Sequence, residues 1–342
     1  MQRILNPRVL VPVIVVLAAM ILSRLFLPVP LPGILLPAEP IPIGPITIPN
    51  TLLATLLADI TLLVLAFLAT RNMRDVPTGL QNLFEWMIEG FLGLAEDVAG
   101  DNGRRWFPVI MTIFLLVLTA NWWELVPGVD SIGVIAHEPG AGHGFELEGS
   151  GPLYILRNPA EVEFGEAEAG AEEGEQAEPP AEGEGEAEEE HHLEYGPEIV
   201  NGQAYGELLP FIRAAATDLN FTLALSLVTV FLIQFYGIQA LGLSYFEKFF
   251  NFRGGLMGIF VGLIELASEL ARIISFAFRL FGNVFAGQVL LFIMAFLVPW
   301  LLPMPFYGLE LFVGFIQAFV FAMLALVFFS TAIIGHHGDE HH

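Results

Sequence analysis

Residues 255–298 read GLMGIFVGLIELASELARIISFAFRLFGNVFAGQVLLFIMAFLV, an apolar run that no proline interrupts. A spanning helix needs only about 20 apolar residues to cross ~30 Å of hydrocarbon. At about 1.5 Å per residue this run is roughly 65 Å long as a helix, and the next, Phe306–Ile334, roughly 44 Å. Neither stands upright in a bilayer. Either the first breaks into two spans at its glycines, or both are long helices lying strongly tilted as a hairpin that turns at Pro299–Pro305. Without an internal proline to break the first run, the tilted hairpin over 255–335 is the expected arrangement.

Upstream, Val9–Leu27, Thr51–Ala69, Trp106–Val126 and Phe221–Leu243 each have the length and apolarity of a span. Arg3 and Arg8 precede the first, as in a secretory signal, but no small-x-small cleavage pattern follows it. Residues 1–27 therefore read as a retained transmembrane helix or signal anchor. Residues 28–50 are proline-rich and predict an extended connector. Leu80–Val98 carries Glu85, Glu89, Glu96 and Asp97 and predicts an amphipathic helix at the membrane surface. The segments 51–137 and 208–254 then each contribute spans and connecting turns, and 336–342 forms a polar tail.

Composition agrees. Of 342 residues 55% are hydrophobic, 15% are charged and none is cysteine. That excludes a disulfide scaffold, a thiol nucleophile and a zinc–thiolate site. The formal charge of −24 is concentrated: Pro127–Pro210 holds 21 Asp/Glu and one Arg, leaving 16 Asp/Glu against 12 Arg/Lys elsewhere. An apolar membrane chain with one acidic insert fits these sums, and a nucleic-acid binder does not. The insert, 138–207, is rich in Glu, Gly, Ala and Pro and predicts disorder, either as a solvated linker or as a region that concentrates cations. Arg/Lys bias across the spans, eight against three, puts the insert outside the cytoplasm and the C-terminus inside.

Ionisable groups inside apolar helices are costly, by about 2.5–3.5 kcal/mol on insertion scales, and normally face a partner or a wet path. Glu265, Glu269, Arg272, Arg279 and Asn283 recur at intervals that keep them on one helical stripe, with Ser268 and Ser275 between them. Glu269 and Arg272 are three apart and can pair. Arg279 has no carboxylate three or four residues away, lies near mid-depth, and keeps its proton. Its counter-charge has to come from another helix, such as Glu310, or from another subunit. Glu310 and Gln317 share a face of the last helix, and Gln288 lies outward of Arg279. Asn121, Glu124, Asp218 and Asn220 mark the outer ends of their spans. The pattern is two wet half-paths separated by a fixed positive charge. Asp59 sits inside a span and reads as a helix-contact residue.

ELASELARIISFAFRLFGNVFAGQVLL (265–291) resembles the signature of subunit a of the F-type ATP synthase membrane sector, and FIQAFVFAML (315–324) is similar to its last helix. RNMRDVPTGLQNLFEWM (71–87), LTANWWELVPG (118–128) and AATDLNFTLAL (215–225) match its other segments in order. The resemblance runs from about Asn50 to the C-terminus. Residues 9–27, the proline connector and the acidic insert have no counterpart in the common bacterial form.

The resemblance implies an all-α, multi-pass stator in the bacterial plasma membrane. It implies no cofactor or metal and no catalysis by the chain itself. Its partners would be a ring of small hairpin rotor subunits (subunit c), a peripheral stalk subunit b, the other synthase subunits and membrane lipid. Arg279 falls on the family's essential arginine, and Asn283 and Gln317 on polar positions beside it. Gln288 and Glu310 fall on an interacting pair of the outer half-channel, Glu265 on an inner carboxylate, and Asn121, Asp218 and Asn220 on outer polar positions. Many bacterial members have Glu and His where this chain has Gln288 and Glu310, so Glu310 would carry more of the outer relay. A secondary transporter or ion channel is the competing reading, but no inverted repeat with broken helices is visible. An intramembrane hydrolase lacks its motif: there is no H-E-x-x-H, and all eight histidines lie outside the spans.

Overall fold

The computed structural model describes residues 15, 18–22, 38–43, 46–137, 144–150, 153–160, 162, 194–249, 255–299 and 302–333. Most of the predicted N-terminal span, the start of the proline connector, the Glu-rich centre of the insert and the polar tail lie outside them. The chain divides into two compact units. One comprises residues 1–127 and 212–342, the other Gly128–Phe211.

The first unit is helical. Its long helices are α1 (Asn50–Thr70), α2 (Leu80–Ala99), α3 (Asp101–Glu124), α4 (Leu219–Leu241), α5 (Gly255–Leu297) and α6 (Pro303–Ala332). All but α2 are long and apolar enough to cross a membrane. α2 instead carries Glu85, Glu89, Glu96 and Asp97 among its apolar residues. Gly100, at φ 57°, ends α2 and opens α3, a reversal that a β-carbon would strain. α5 is one continuous helix of 43 residues, so its glycines do not break it.

Packing centres on α3 and α6. Gly314, Ala318, Ala322 and Ala325 are buried along one side of α6, and small side chains there let neighbouring backbones approach. Phe114, Phe321 and Phe329 are fully buried. Phe276 of α5 meets Phe321 with ring centroids 4.8 Å apart, and Trp106 meets Phe329 edge-on at 5.8 Å. Such pairs add to area burial; the first fixes α5 and the second α3 against α6. Asp218 caps α4 by accepting from Asn220 N at 2.8 Å, and Thr51 Oγ1 donates to its other carboxylate oxygen at 2.8 Å.

Two expectations are corrected. Part of the proline connector is a hairpin, β1 (Pro40–Ile43) pairing antiparallel with β2 (Ile46–Pro49). The insert is not uniformly disordered either, because its flanks fold. The second unit is a six-stranded antiparallel sheet of β3 (Gly133–His137), β4 (Gly144–Ser150), β5 (Leu153–Ala160), β6 (Glu194–Tyr195), β7 (Glu198–Val200) and β8 (Gln203–Pro210). Its order is β5-β4-β8-β3-β6, with β7 also on β8. The physical reason is local. Asn201 and Gly202, at φ 53° and 83°, form the two-residue hairpin turn that joins β7 to β8. The Glu-rich composition between the flanks had masked that signal. His137 anchors the β6 side, with Nδ1 3.1 Å from the Gly196 carbonyl and Nε2 3.4 Å from a Glu194 carboxylate oxygen.

Candidate functional site

The site is the polar stripe of α5 and what α6 sets against it. At its cytoplasmic end by the charge-bias orientation, four charges close on one another. Lys248, from the 3-10 turn Gly242–Lys248, lies 2.5 Å from Glu265 and 3.2 Å from Glu269; Arg272 lies 2.5 Å from the other oxygen of Glu269. Two cations and two carboxylates leave no net charge. Arg272 also stacks over the Phe328 ring of α6 at 4.2 Å. The sequence anticipated the Glu269–Arg272 pair but not Lys248. Tyr245 of the same turn donates to Gln234 Oε1 at 2.5 Å. Burial first, then the neighbouring Glu269 charge, pushes its phenol up to about 12, with Glu265 adding to the rise and Arg272 opposing it.

Two turns further along α5 the situation reverses. Arg279 is half-buried, and its one hydrogen bond among the described residues is to Ser275 Oγ at 3.3 Å. The nearest ring, Phe276, is 6.0 Å from the guanidinium carbon. No carboxylate of the described residues lies within ion-pair distance of it. A cavity of about 290 Å³ joins the two levels, lined by Ser268, Arg272, Ser275 and Arg279 with Phe276 and Phe328 as walls. It is a groove with mainly apolar walls that runs from Arg272, the one member of the cluster that lines it, to Arg279.

Beyond Arg279, Asn283 Nδ2 donates to Gln317 Oε1 across α5 and α6 at 2.6 Å. Gln317 Nε2 is buried without a partner among the described residues. One turn farther, the buried Glu310 carboxyl lies against Gly287, where a β-carbon would overlap it. Gln288, the next residue, is also buried. The sequence named Gln288 as the partner of Glu310 and missed Gly287, a glycine whose spacing from Arg279 was its only signal. Asn121 Nδ2 reaches the Gly314 carbonyl at 3.4 Å, and Trp122 Nε1 the Leu311 carbonyl at 3.2 Å, so α3 is pinned beside the Glu310–Gln317 face.

Asp218 and Asn220 are not part of this assembly. Both Asp218 oxygens are occupied by Thr51 and Asn220 N in the cap, and the Asn220 side chain is exposed. The same corner holds Asn50 Nδ2 donating to Glu39 at 3.1 Å and Arg213 3.8 Å from the other Glu39 oxygen.

A family model described as ATP synthase A chain matches residues 52–330 of this arrangement. The chain belongs to that family. Curated relatives agree in extent: ATP synthase subunit a of Helicobacter hepaticus is 29% identical over 290 residues, covering 84% of this chain and 90% of the relative. That of Moorella thermoacetica is 27% identical over 288 residues, covering 84% and 92%, and that of Nitratiruptor 25% over 281, covering 82% and 88%. The matched span of the ATP synthase A chain family includes all of α5, α6 up to residue 330, and also the stretch that carries the sheet unit.

Proposed function

We propose that this membrane-sector subunit is the stator against which a ring of carboxylate-bearing rotor subunits turns, with proton access from each side through offset half-paths. The observation that carries the proposal is the Arg279 guanidinium: half-buried mid-helix, bonded to a serine, and unanswered by any carboxylate of the described residues. Arginine does not shed its proton in proteins, so a permanent cation at that depth needs an anion from elsewhere. A passing rotor carboxylate is such an anion. Near Arg279 opposite charge favours its ionised form and lowers its pKa, so its proton leaves into one path. After rotating past, it is reprotonated from the other. Each elementary charge crossing 100 mV supplies about 2.3 kcal/mol, which the ring delivers as torque.

The inner path starts at Glu265 and Glu269, passes Arg272, which Glu269 holds, and follows the groove from there to Arg279. The outer path runs by Glu310, with Gln288, Asn283, Gln317 and Asn121 lining it. Asp218 and Asn220 act at the outer corner as the cap that positions α4. A tilted α5–α6 hairpin gives the ring a long face to roll along, since a helix of 43 residues is roughly 65 Å long and the core only ~30 Å. The chain itself breaks no bond. It works beside subunit c and the stalk subunit b, in the plasma membrane of a bacterium.

The test is Arg279→Ala in inverted membrane vesicles. ATP synthesis and ATP-driven proton pumping are both lost, while passive proton leak through the membrane sector persists. Pumping retained in that variant would falsify the assignment.

A further inference from the structure

β6 is the slightest strand of the sheet unit. It has two residues, Glu194 and Tyr195, both exposed, and it lies at the edge of the sheet against β3, with Tyr195 across from Ala136 and Glu194 across from His137. A short edge strand with little buried surface opens at low cost. It also ends the most acidic stretch of the chain: residues 161–193 hold fourteen Glu and no Lys or Arg. Like charges at that density repel one another and the carboxylates that follow them.

One buried side chain spans this edge. His137, 9% exposed, sets Nδ1 3.1 Å from the Gly196 carbonyl and Nε2 3.4 Å from a Glu194 oxygen and 3.9 Å from a Glu198 oxygen. Glu194 belongs to β6 and Glu198 to β7, and Gly196 lies in the link between them, its own N–H donating to the Ile135 carbonyl at 2.8 Å. β8 adds another acid, Glu207, across from Ala136, and a phenol, Tyr205, across from Glu198. Arg157 is the one Lys or Arg in the sequence 128–211, and Glu148 takes it. A carbonyl and an ionised carboxylate can only accept. A neutral imidazole has one proton, so with Nδ1 donating to Gly196 its Nε2 would meet carboxylate oxygens lone pair to lone pair. The imidazolium donates from both nitrogens and answers all three groups.

We propose that His137 is a pH-operated clasp. Protonated on both nitrogens, it gathers the Gly196 carbonyl and the Glu194 and Glu198 carboxylates and holds the β6–β7 link to β3; on losing a proton it lets β6 go. The sign follows from the charges. The tie is complete while the ring is cationic and is lost as pH rises, because the carboxylates then face an acceptor. Histidine is the side chain whose charge ordinarily changes between about pH 5 and 8, so a modest change of surroundings operates the clasp. What it fastens or frees is the end of the acidic stretch where the chain re-enters the sheet. The inference rests on the sheet unit alone and stands or falls independently of the half-path reading.

The experiment is amide hydrogen exchange, read by mass spectrometry on the intact synthase in lipid nanodiscs at about pH 5.5 and about pH 8, either side of an ordinary histidine. Rates are corrected for the intrinsic pH dependence of exchange, and a chelator is present throughout so that no metal bridges the same groups. Protection of the peptide spanning 194–200 falls by about 10-fold or more at the higher pH, the scale of a hydrogen bond to a charged group, while β8 stays protected. In His137→Gln the step disappears. In Glu194→Gln combined with Glu198→Gln it disappears as well, with protection kept at the higher pH, because the amides can donate to a bare Nε2. This second variant decides the matter if His137→Gln loses β8 protection and so the sheet. A flat profile in the parent, a step shared equally by β8, a step seen only without chelator, or a step that survives in the double variant overturns the proposal.

Discussion

Two arginines stand seven residues apart on α5 and live in opposite circumstances. Arg272 is answered within the chain: Glu269 takes its charge at 2.5 Å, Phe328 its face, and Lys248 and Glu265 complete a neutral set. Arg279 has a serine hydroxyl. The same side chain on the same helix face is neutralised in one place and left open in the other, and what separates them is whether the fold supplies the counter-ion. A charge that the chain neutralises holds the turn Gly242–Lys248 onto α5. A charge left open is available to a molecule that comes and goes.

The largest expected effect breaks the comparison if it fails. Arg279→Ala removes coupled synthesis altogether but leaves the thermal midpoint of the solubilised complex unchanged, because no described carboxylate loses a partner. Arg272→Ala does the reverse. It strands the buried Glu269 with a half share of Lys248, and removing one member of a buried pair costs about 3 kcal/mol or more. A lowered midpoint in Arg272→Ala beside an unmoved one in Arg279→Ala is the result to look for in thermal unfolding of the two variants. Equal destabilisation would mean that Arg279 too is a structural cation.

A smaller effect sharpens the outer side. Since a β-carbon at Gly287 overlaps the Glu310 carboxyl, Gly287→Ala displaces that group, and a misplaced proton-transfer group slows its step by the order of 10-fold or more. Proton uptake by membranes stripped of the catalytic sector measures it. Glu310→Asp in the same chain, one methylene shorter, restores part of the loss. A Gly287→Ala chain that conducts like the parent would show that the outer path does not run past this contact.

How much of this was legible beforehand follows from the range of each interaction. The helices α1, α3, α4, α5 and α6 appear within a few residues of their sequence reading, because apolar length is a local property. Glu269–Arg272 was legible at a spacing of three. Lys248 was not: it reaches Glu265 and Glu269 from a turn on another element, and nothing local to GLSYFEK says which way its ammonium points. Asp218 was read among outer polar positions, yet its oxygens serve Thr51 and Asn220 N. Thr51 is 167 residues away in sequence. The sheet unit was missed for a different reason. The Glu-rich centre of the insert dominated the composition of 138–207, and an averaged composition hides the Asn201–Gly202 turn and the strand QAYGELLP after it.

The subtlest consequence of the paired cluster is a pH effect on Tyr245. Its phenol ionises at about 12 in the folded chain, through burial first and the Glu269 charge second, against about 10 for an unperturbed tyrosine. The folded state therefore holds the proton more tightly than the unfolded one. This contribution to stability is complete below about pH 10 and falls away between about 10 and 12, where the unfolded phenol has ionised and the folded one has not. Subtracting the phenolate absorbance of Tyr245→Phe from that of the parent across an alkaline titration isolates the residue, which ionises near 12. In Glu269→Gln, with the second-ranked cause removed, the transition moves down toward the ordinary value. A Tyr245 signal already complete near pH 10 in the parent would mean that the turn does not sit against the carboxylates of α5, and with it the closed end of the comparison would open.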